Sequence, residues 1–205
     1  MNLPTELEGK WLLKDLPAFA SRLTALDAQL LHERCYENNL RFDTPGKTLT
    51  PALQVLRLRQ DSQAHLTYKA PLDLSSGIIL RHEIEITVDD FDRARQLLEA
   101  LGYEVFFQYE KYRTVYQLDG CHIMLDELPY GDFVEIEGPD PAAILALAER
   151  LALRWQDASA VTYTGLFDIF IDNSGHDFRD LTFANFAGIS VTPKQIELRW
   201  ADQSG

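Results

Sequence analysis

Charged residues of one sign recur two positions apart along this chain, and that spacing constrains its fold more than any other feature. Acidic pairs stand at Glu6/Glu8, Glu83/Glu85 and Glu135/Glu137, and basic pairs at Arg57/Arg59 and Lys111/Arg113, with Lys10, Lys69 and Arg81 beside them. Side chains at i and i+2 of a strand share a face, so each pair is a two-pronged charged comb. The residues between the prongs, such as Leu7, Leu58, Ile84, Ile86, Val134 and Ile136, are apolar and suited to bury against helices. Two readings follow. The combs are the water-facing side of an antiparallel sheet, or they line a surface that holds metal ions and a polyanion together.

The charge balance bears on that choice. Thirty-two acidic against nineteen basic residues give a net charge of -13, which argues against a nucleic-acid binder working through a broad basic surface. Lys10, Arg57, Arg59, Lys69, Arg81, Lys111 and Arg113 offset the six comb glutamates plus Asp126, so the other 12 bases and 25 acids carry the whole excess. An anionic ligand must therefore meet local positive charge.

Other functions are disfavoured by composition. Cys35 and Cys121 have no partners at zinc-ligand spacing and are too few for a disulfide scaffold. His65, His82 and His122 likewise lack companion ligands, and Cys121 beside His122 lacks the third member of a nucleophilic site. The early charges Glu6, Glu8, Lys10, Lys14 and Asp15 interrupt any signal-peptide stretch, and no apolar run is long enough to span a bilayer. A cytoplasmic protein with no membrane partner is expected.

One unit occurs three times: a Glu-x-Glu strand, a turn with Asp, then an amphipathic helix. The expected helical stripes are Phe19, Leu23, Leu26 and Leu30; then Phe91, Ala94, Leu97, Leu98 and Leu101; then Ile144, Leu145, Ala148 and Leu151. Asp140 with Pro141 opens the third helix, and Gly102 stops the second. Further strands are expected near 36–42, 55–59, 64–69, 104–109, 113–118 and 122–125, and a short helix near 163–170. The fold class is α+β. Helices over the apolar side of such a sheet, with the charges turned inward, make an eight-stranded antiparallel β-barrel or tunnel. Residues 1–172 form that domain, and 173–205 are an extension of no clear period.

The order of the motifs resembles the CYTH family, also called triphosphate tunnel metalloenzymes. Glu6-Leu7-Glu8-Gly9-Lys10 matches its Glu-x-Glu-x-Lys signature. Phe42-Asp43-Thr44-Pro45, Leu56-Arg57-Leu58-Arg59, Leu66-Thr67-Tyr68-Lys69, Arg81-x-Glu83-x-Glu85, Glu110-Lys111-x-Arg113, Leu125-Asp126-Glu127 and Phe133-Val134-Glu135-Ile136-Glu137 follow in order. The resemblance spans roughly residues 5–170. It implies a tunnel that binds a triphosphate and uses magnesium or manganese, the phosphates held by Lys10, Arg57, Arg59, Lys69, Arg81, Lys111 and Arg113. Glu6, Glu8, Asp126, Glu135 and Glu137 match the metal-binding acids, Glu83 and Glu85 a second line of acids, and Glu6, Glu8, Lys10 and Asp126 the catalytic set.

Hard oxygen ligands suit those metals, and arginine forks suit phosphate. The single-domain layout is most similar to the class IV adenylate cyclase branch, which converts ATP to cyclic AMP and pyrophosphate. A triphosphatase acting on inorganic triphosphate or nucleoside triphosphates is the alternative, and a non-catalytic polyphosphate sensor a third. Where the thiamine-triphosphatase branch carries a lysine, this chain has Val161, which weakens that substrate. A homodimer is compatible with the reading.

Overall fold

The structure is a computed structural model and describes residues 8–73 and 80–202. Eight strands are formed: β1 Glu8–Leu13, β2 Gln29–Asp43, β3 Val55–Gln60, β4 Ala64–Asp73, β5 Leu80–Val88, β6 Glu104–Leu118, β7 Cys121–Leu128 and β8 Gly131–Glu137. Helices α1 Leu16–Ala25, α2 Phe91–Ala100, α3 Pro141–Arg150 and α4 Tyr163–Ser174 connect or follow them. The strands form one sheet in the order β1-β8-β7-β6-β2-β3-β4-β5, with β1 and β5 at its ends, and the described pairings are antiparallel. Eight antiparallel strands with flanking helices form as expected, but among the described residues β1 and β5 do not pair, so the sheet is not closed into the expected barrel. Among the described residues, no helix is long and apolar enough to cross a membrane.

The chain divides into two compact units, one of residues 37–110 and one of the flanking segments. In the flanking unit, the uncharged faces of three strands supply Trp11, Leu13, Ile123, Leu125, Val134 and Ile136 to a core closed by Phe19 and Leu23 of α1 and Ile144, Leu147 and Ala148 of α3. Each such side chain contributes roughly 1.5–3 kcal/mol on full burial. Asp15 and Asp140 cap α1 and α3 through the N–H groups of Ala18 and Ala143, both at 2.9 Å, and a proline in each first turn adds no unpaired donor. Gly9 sits under the Trp11 ring, where a Cβ would stand 2.6 Å from a ring carbon. That close approach explains the glycine between Glu8 and Lys10 of β1.

In the 37–110 unit, Leu40, Phe42, Leu56 and Leu58 pack with Leu98 of α2, supported by Phe91 and Ala94. Several expected stripe residues lie elsewhere. Helix α1 ends at Ala25, Asp27 turns the chain at φ 58, and Leu30 opens β2 with 47% exposure. Ile84 and Ile86 on terminal strand β5 are 50% and 53% exposed, and Leu97 and Leu101 are more so. Helix α2 covers β3 with its Phe91, Ala94 and Leu98 face and leaves β5 open. Two expected strands, 104–109 and 113–118, are one: β6 runs unbroken for 15 residues.

Candidate functional site

The comb residues gather into one charged cluster in each unit. In the flanking unit the register sets Lys10 opposite Glu135, Asp126 opposite Arg113, and Glu8 opposite Glu137. Lys10 Nζ lies 2.9 Å from Glu135 Oε1 and 3.7 Å from Glu8 Oε1. Arg113 donates from Nε to Asp126 Oδ1 at 2.6 Å, from Nη2 to Asp126 Oδ2, and from Nη2 to Glu135 Oε2 at 2.6 Å. Lys111 Nζ donates to Asp126 Oδ2 at 3.1 Å, and the Tyr163 hydroxyl donates to the same oxygen at 2.8 Å. Lys10, Lys111, Asp126 and Glu135 are all buried, Asp126 completely.

Such burial is tolerable only because each charge is paired and hydrogen-bonded. Burial pushes the Asp126 pKa up, but Arg113 and Lys111 more than offset it and hold the carboxyl well below its ordinary range. The Tyr163 hydroxyl moves well above its ordinary value, through burial first and then the Asp126 and Glu135 charges, so it stays a donor. Tyr130 fixes the start of α4 by donating to the Tyr163 backbone carbonyl at 2.9 Å. The Tyr163 ring in turn lies 4.4 Å from Lys10 Nζ.

The fit of a divalent cation divides along these contacts. Every oxygen of Asp126 and Glu135 already accepts from a protein donor, and among the described residues no three His, Cys, Asp or Glu side chains form a metal-holding group. Glu8, which Lys10 approaches at 3.7 Å, stands opposite Glu137: like charges directly opposite repel, and hard carboxylate oxygens are what magnesium and manganese take. The carboxylates of Glu8 and Glu137 are thus of the right chemistry for such a cation, whereas the oxygens of Asp126 and Glu135 are taken up by protein donors. Glu6 lies outside the described residues, as does the side chain of Arg81 in β5.

The second cluster belongs to residues 37–110. Lys69 Nζ is 2.8 Å from Glu83 Oε2 across the β4–β5 ladder. Arg57 reaches the Tyr109 hydroxyl at 3.4 Å and Thr67 Oγ1 at 3.3 Å, with Glu85 Oε2 at 3.6 Å. Thr67 donates to Glu85 at 2.8 Å. Arg59 Nε lies 3.0 Å from Asp61 Oδ2, and His65 stands between Asp61 and Glu85. Glu83 and Glu85 thus hold the bases of their own unit.

Sequence reasoning passed over several residues on the same faces. Asn39 is opposite Arg59 and Arg41 opposite Arg57, and the alternation of polar side chains from Glu37 to Asp43 was the available signal. Asp43, noted only within its motif, accepts from the N–H groups of Thr44, Leu49 and Thr50 at 2.8–2.9 Å. Burial raises its pKa, and the Thr50 hydroxyl and these amides more than offset that, lowering it to about 2. The carboxylate thereby pins the loop after β2. Cys121 is buried, and burial pushes its thiol pKa up, as suits a packing residue.

Residues 5–163 match the family model for the CYTH domain. Adenylate cyclase CyaB of Aeromonas hydrophila is 29% identical over 136 residues, 64% of this chain and 67% of that protein. The structure of a candidate adenylate cyclase from Vibrio parahaemolyticus superposes with a TM-score of 0.71 at 25% identity, covering 82% of this chain and 99% of that one. A Hippeastrum protein described as a candidate adenylyl cyclase with a dominant triphosphatase activity shares the fold, with TM-score 0.58 and 19% identity over 95% of this chain and all of that one.

Proposed function

The chain belongs to the CYTH family, and from that premise we propose that it is a divalent-metal-dependent enzyme acting on a triphosphate, converting ATP to cyclic AMP and pyrophosphate. The observation that carries this reading is the set of Lys10 and Lys111, both buried, with the partly buried Arg113, held in place by Asp126, Glu135 and Tyr163. Fixed cations that need no rearrangement are what stabilise charge developing on a leaving phosphate. The likeness to the Aeromonas cyclase favours cyclisation over hydrolysis.

In the reaction, the ribose 3′-hydroxyl gives its proton to solvent water as its oxygen forms a bond to the α-phosphorus, the bond from that phosphorus to the bridging oxygen breaks, and pyrophosphate leaves with the bonding pair. Arg113 and Lys111 take negative charge on phosphoryl oxygens in their unit, and Lys10 supports them. Arg57, Arg59 and Lys69 bind phosphoryl oxygens in theirs. Bound at Glu8 and Glu137, magnesium or manganese would supply charge neutralisation and a more acidic nucleophile.

The test incubates the protein with ATP or inorganic triphosphate and either metal, and resolves cyclic AMP, pyrophosphate and orthophosphate. Cyclic AMP with pyrophosphate is expected, and Arg113→Lys, which loses the bidentate fork, should lower kcat/KM by about 100-fold. Orthophosphate with ADP, or cleavage of inorganic triphosphate without a cyclic product, would assign the triphosphatase activity instead. Anion binding without any product would leave a sensor.

A further inference from the structure

Within residues 37–110, Asn39 is fully buried at 0% exposure, and neither Nδ2 nor Oδ1 of its carboxamide has a hydrogen-bond partner. Native proteins pair nearly all such groups, because a buried amide without partners keeps the full cost of its lost hydration. Its surroundings indicate what would satisfy it. Asn39 stands opposite Arg59 on the β2–β3 ladder, and two residues on, Arg41 stands opposite Arg57. Arginines opposite one another repel, and the carboxylates of Glu37 and Glu85 offset part of the charge of Arg57. The Nε of Arg57 is also buried without a hydrogen-bond partner, and the hydrogen bonds of its other nitrogens are long, at 3.3 and 3.4 Å.

We propose that Asn39 is a substrate-binding residue whose Nδ2 donates to a phosphoryl oxygen of the triphosphate alongside Arg57. This rests on the triphosphate reading given above and adds a residue to it. A neutral donor has a physical purpose here. It adds a hydrogen bond to the anion without adding another positive charge between Arg41, Arg57 and Arg59. A purely structural amide would have partners in the protein, and Asn39 has none among the described residues.

The experiment is calorimetric titration of the parent protein, Asn39→Leu and Asn39→Asp with inorganic triphosphate, both with magnesium and with EDTA. Asn39→Leu should bind roughly 10- to 100-fold more weakly, the loss expected for a hydrogen bond to a charged group. Asn39→Asp, nearly identical in shape, should bind more weakly still because it sets a carboxylate against the anion. Without ligand, Asn39→Leu should melt roughly 2–4 °C above the parent, since it removes an unpaired polar group. Should Asn39→Leu not fold, Asn39→Asp carries the test alone. Affinity within twofold of the parent in a folded variant overturns the role of Asn39 and leaves the triphosphate reading intact. Failure of the parent itself to bind triphosphate under either condition overturns both.

Discussion

Asp126 shows how one side chain can organise a site without exposing an atom to solvent. Its two oxygens accept from Arg113, Lys111 and Tyr163, so its charge fixes two cations that would otherwise repel each other. Removing one partner of a buried ionic set costs about 3–5 kcal/mol, because the remaining charges stay buried and uncompensated. Asp126→Asn should accordingly lower the urea midpoint at unchanged m-value. Inorganic triphosphate should raise its melting temperature more than it raises the parent's, since the added anion replaces the missing charge. A variant as stable as the parent would show that Asp126 is not the anchor. At this scale the sequence disclosed charge and not neutral polarity: Lys10, Arg113 and Glu135 stand out by spacing and Asp126 by the Leu125-Asp126-Glu127 motif, whereas Asn39 belongs to no comb of charges. Tyr163 is legible in the sequence as the start of a short helix, but its bond to Asp126 depends on where Tyr130 and the start of α4 place it.

Strands were legible as elements because alternation is strict, yet alternation says which residues share a face and not which face is covered. Ile84 and Ile86 alternate as well as Val134 and Ile136 do, but a helix covers only the latter pair. The β7–β8 hairpin illustrates the converse, a partly covered polar residue. Asp132 stands opposite Leu13 on one side and Glu127 on the other. Burial first, then the Glu127 charge, raise its pKa from 3.8 to about 6. The folded state therefore binds this proton more tightly than the unfolded chain does. Stability from Asp132 is fully present below about pH 4, declines as pH rises toward 6, and is absent above that. Asp132→Asn should stabilise the protein by about 1–2 kcal/mol at pH 7.5, after allowance for partial solvent screening, and by nothing at pH 4. Urea titrations of parent and variant at both values decide it: equal midpoints at pH 7.5 would show that the carboxylate carries no penalty.

For the chain as a whole, the stretch after α4 was the least legible, because it forms no long element with a period. Gly175 in the left-handed region, at φ 73, ends α4 where the sequence indicated a break. Beyond it the chain contributes an isolated bridge from Trp200 to Leu12, a four-residue 3-10 turn at Pro193–Ile196 and single buried anchors such as Ile196 and Ala201. The Trp200 and Ala201 contacts fall on β1, a terminal strand whose unpaired backbone would otherwise be open. Ser159 N–H donates to the Lys10 carbonyl at 2.8 Å, and Ala201 N–H donates to the Leu12 carbonyl at 2.9 Å. Asp202 then accepts from the backbone N–H groups of Lys14 and Asp15, both at 2.9 Å. The strand so fastened carries Glu8 and Lys10, and the fastening fixes the side chain that pairs with Glu135. Deleting residues 199–205 removes the Leu12 bridge, the Asp202 contacts and the buried Ala201 together, a loss of about 2–3 kcal/mol. The melting temperature should fall by roughly 5–10 °C, and kcat/KM should drop more than fivefold, an estimate that follows from about 1 kcal/mol of lost Lys10 positioning. Hydrogen exchange at the Lys14 and Asp15 amides provides the local readout and should accelerate in Asp202→Ala as well. A truncated chain with unchanged melting and turnover would mean that β1 is held by β8 and Ser159 alone.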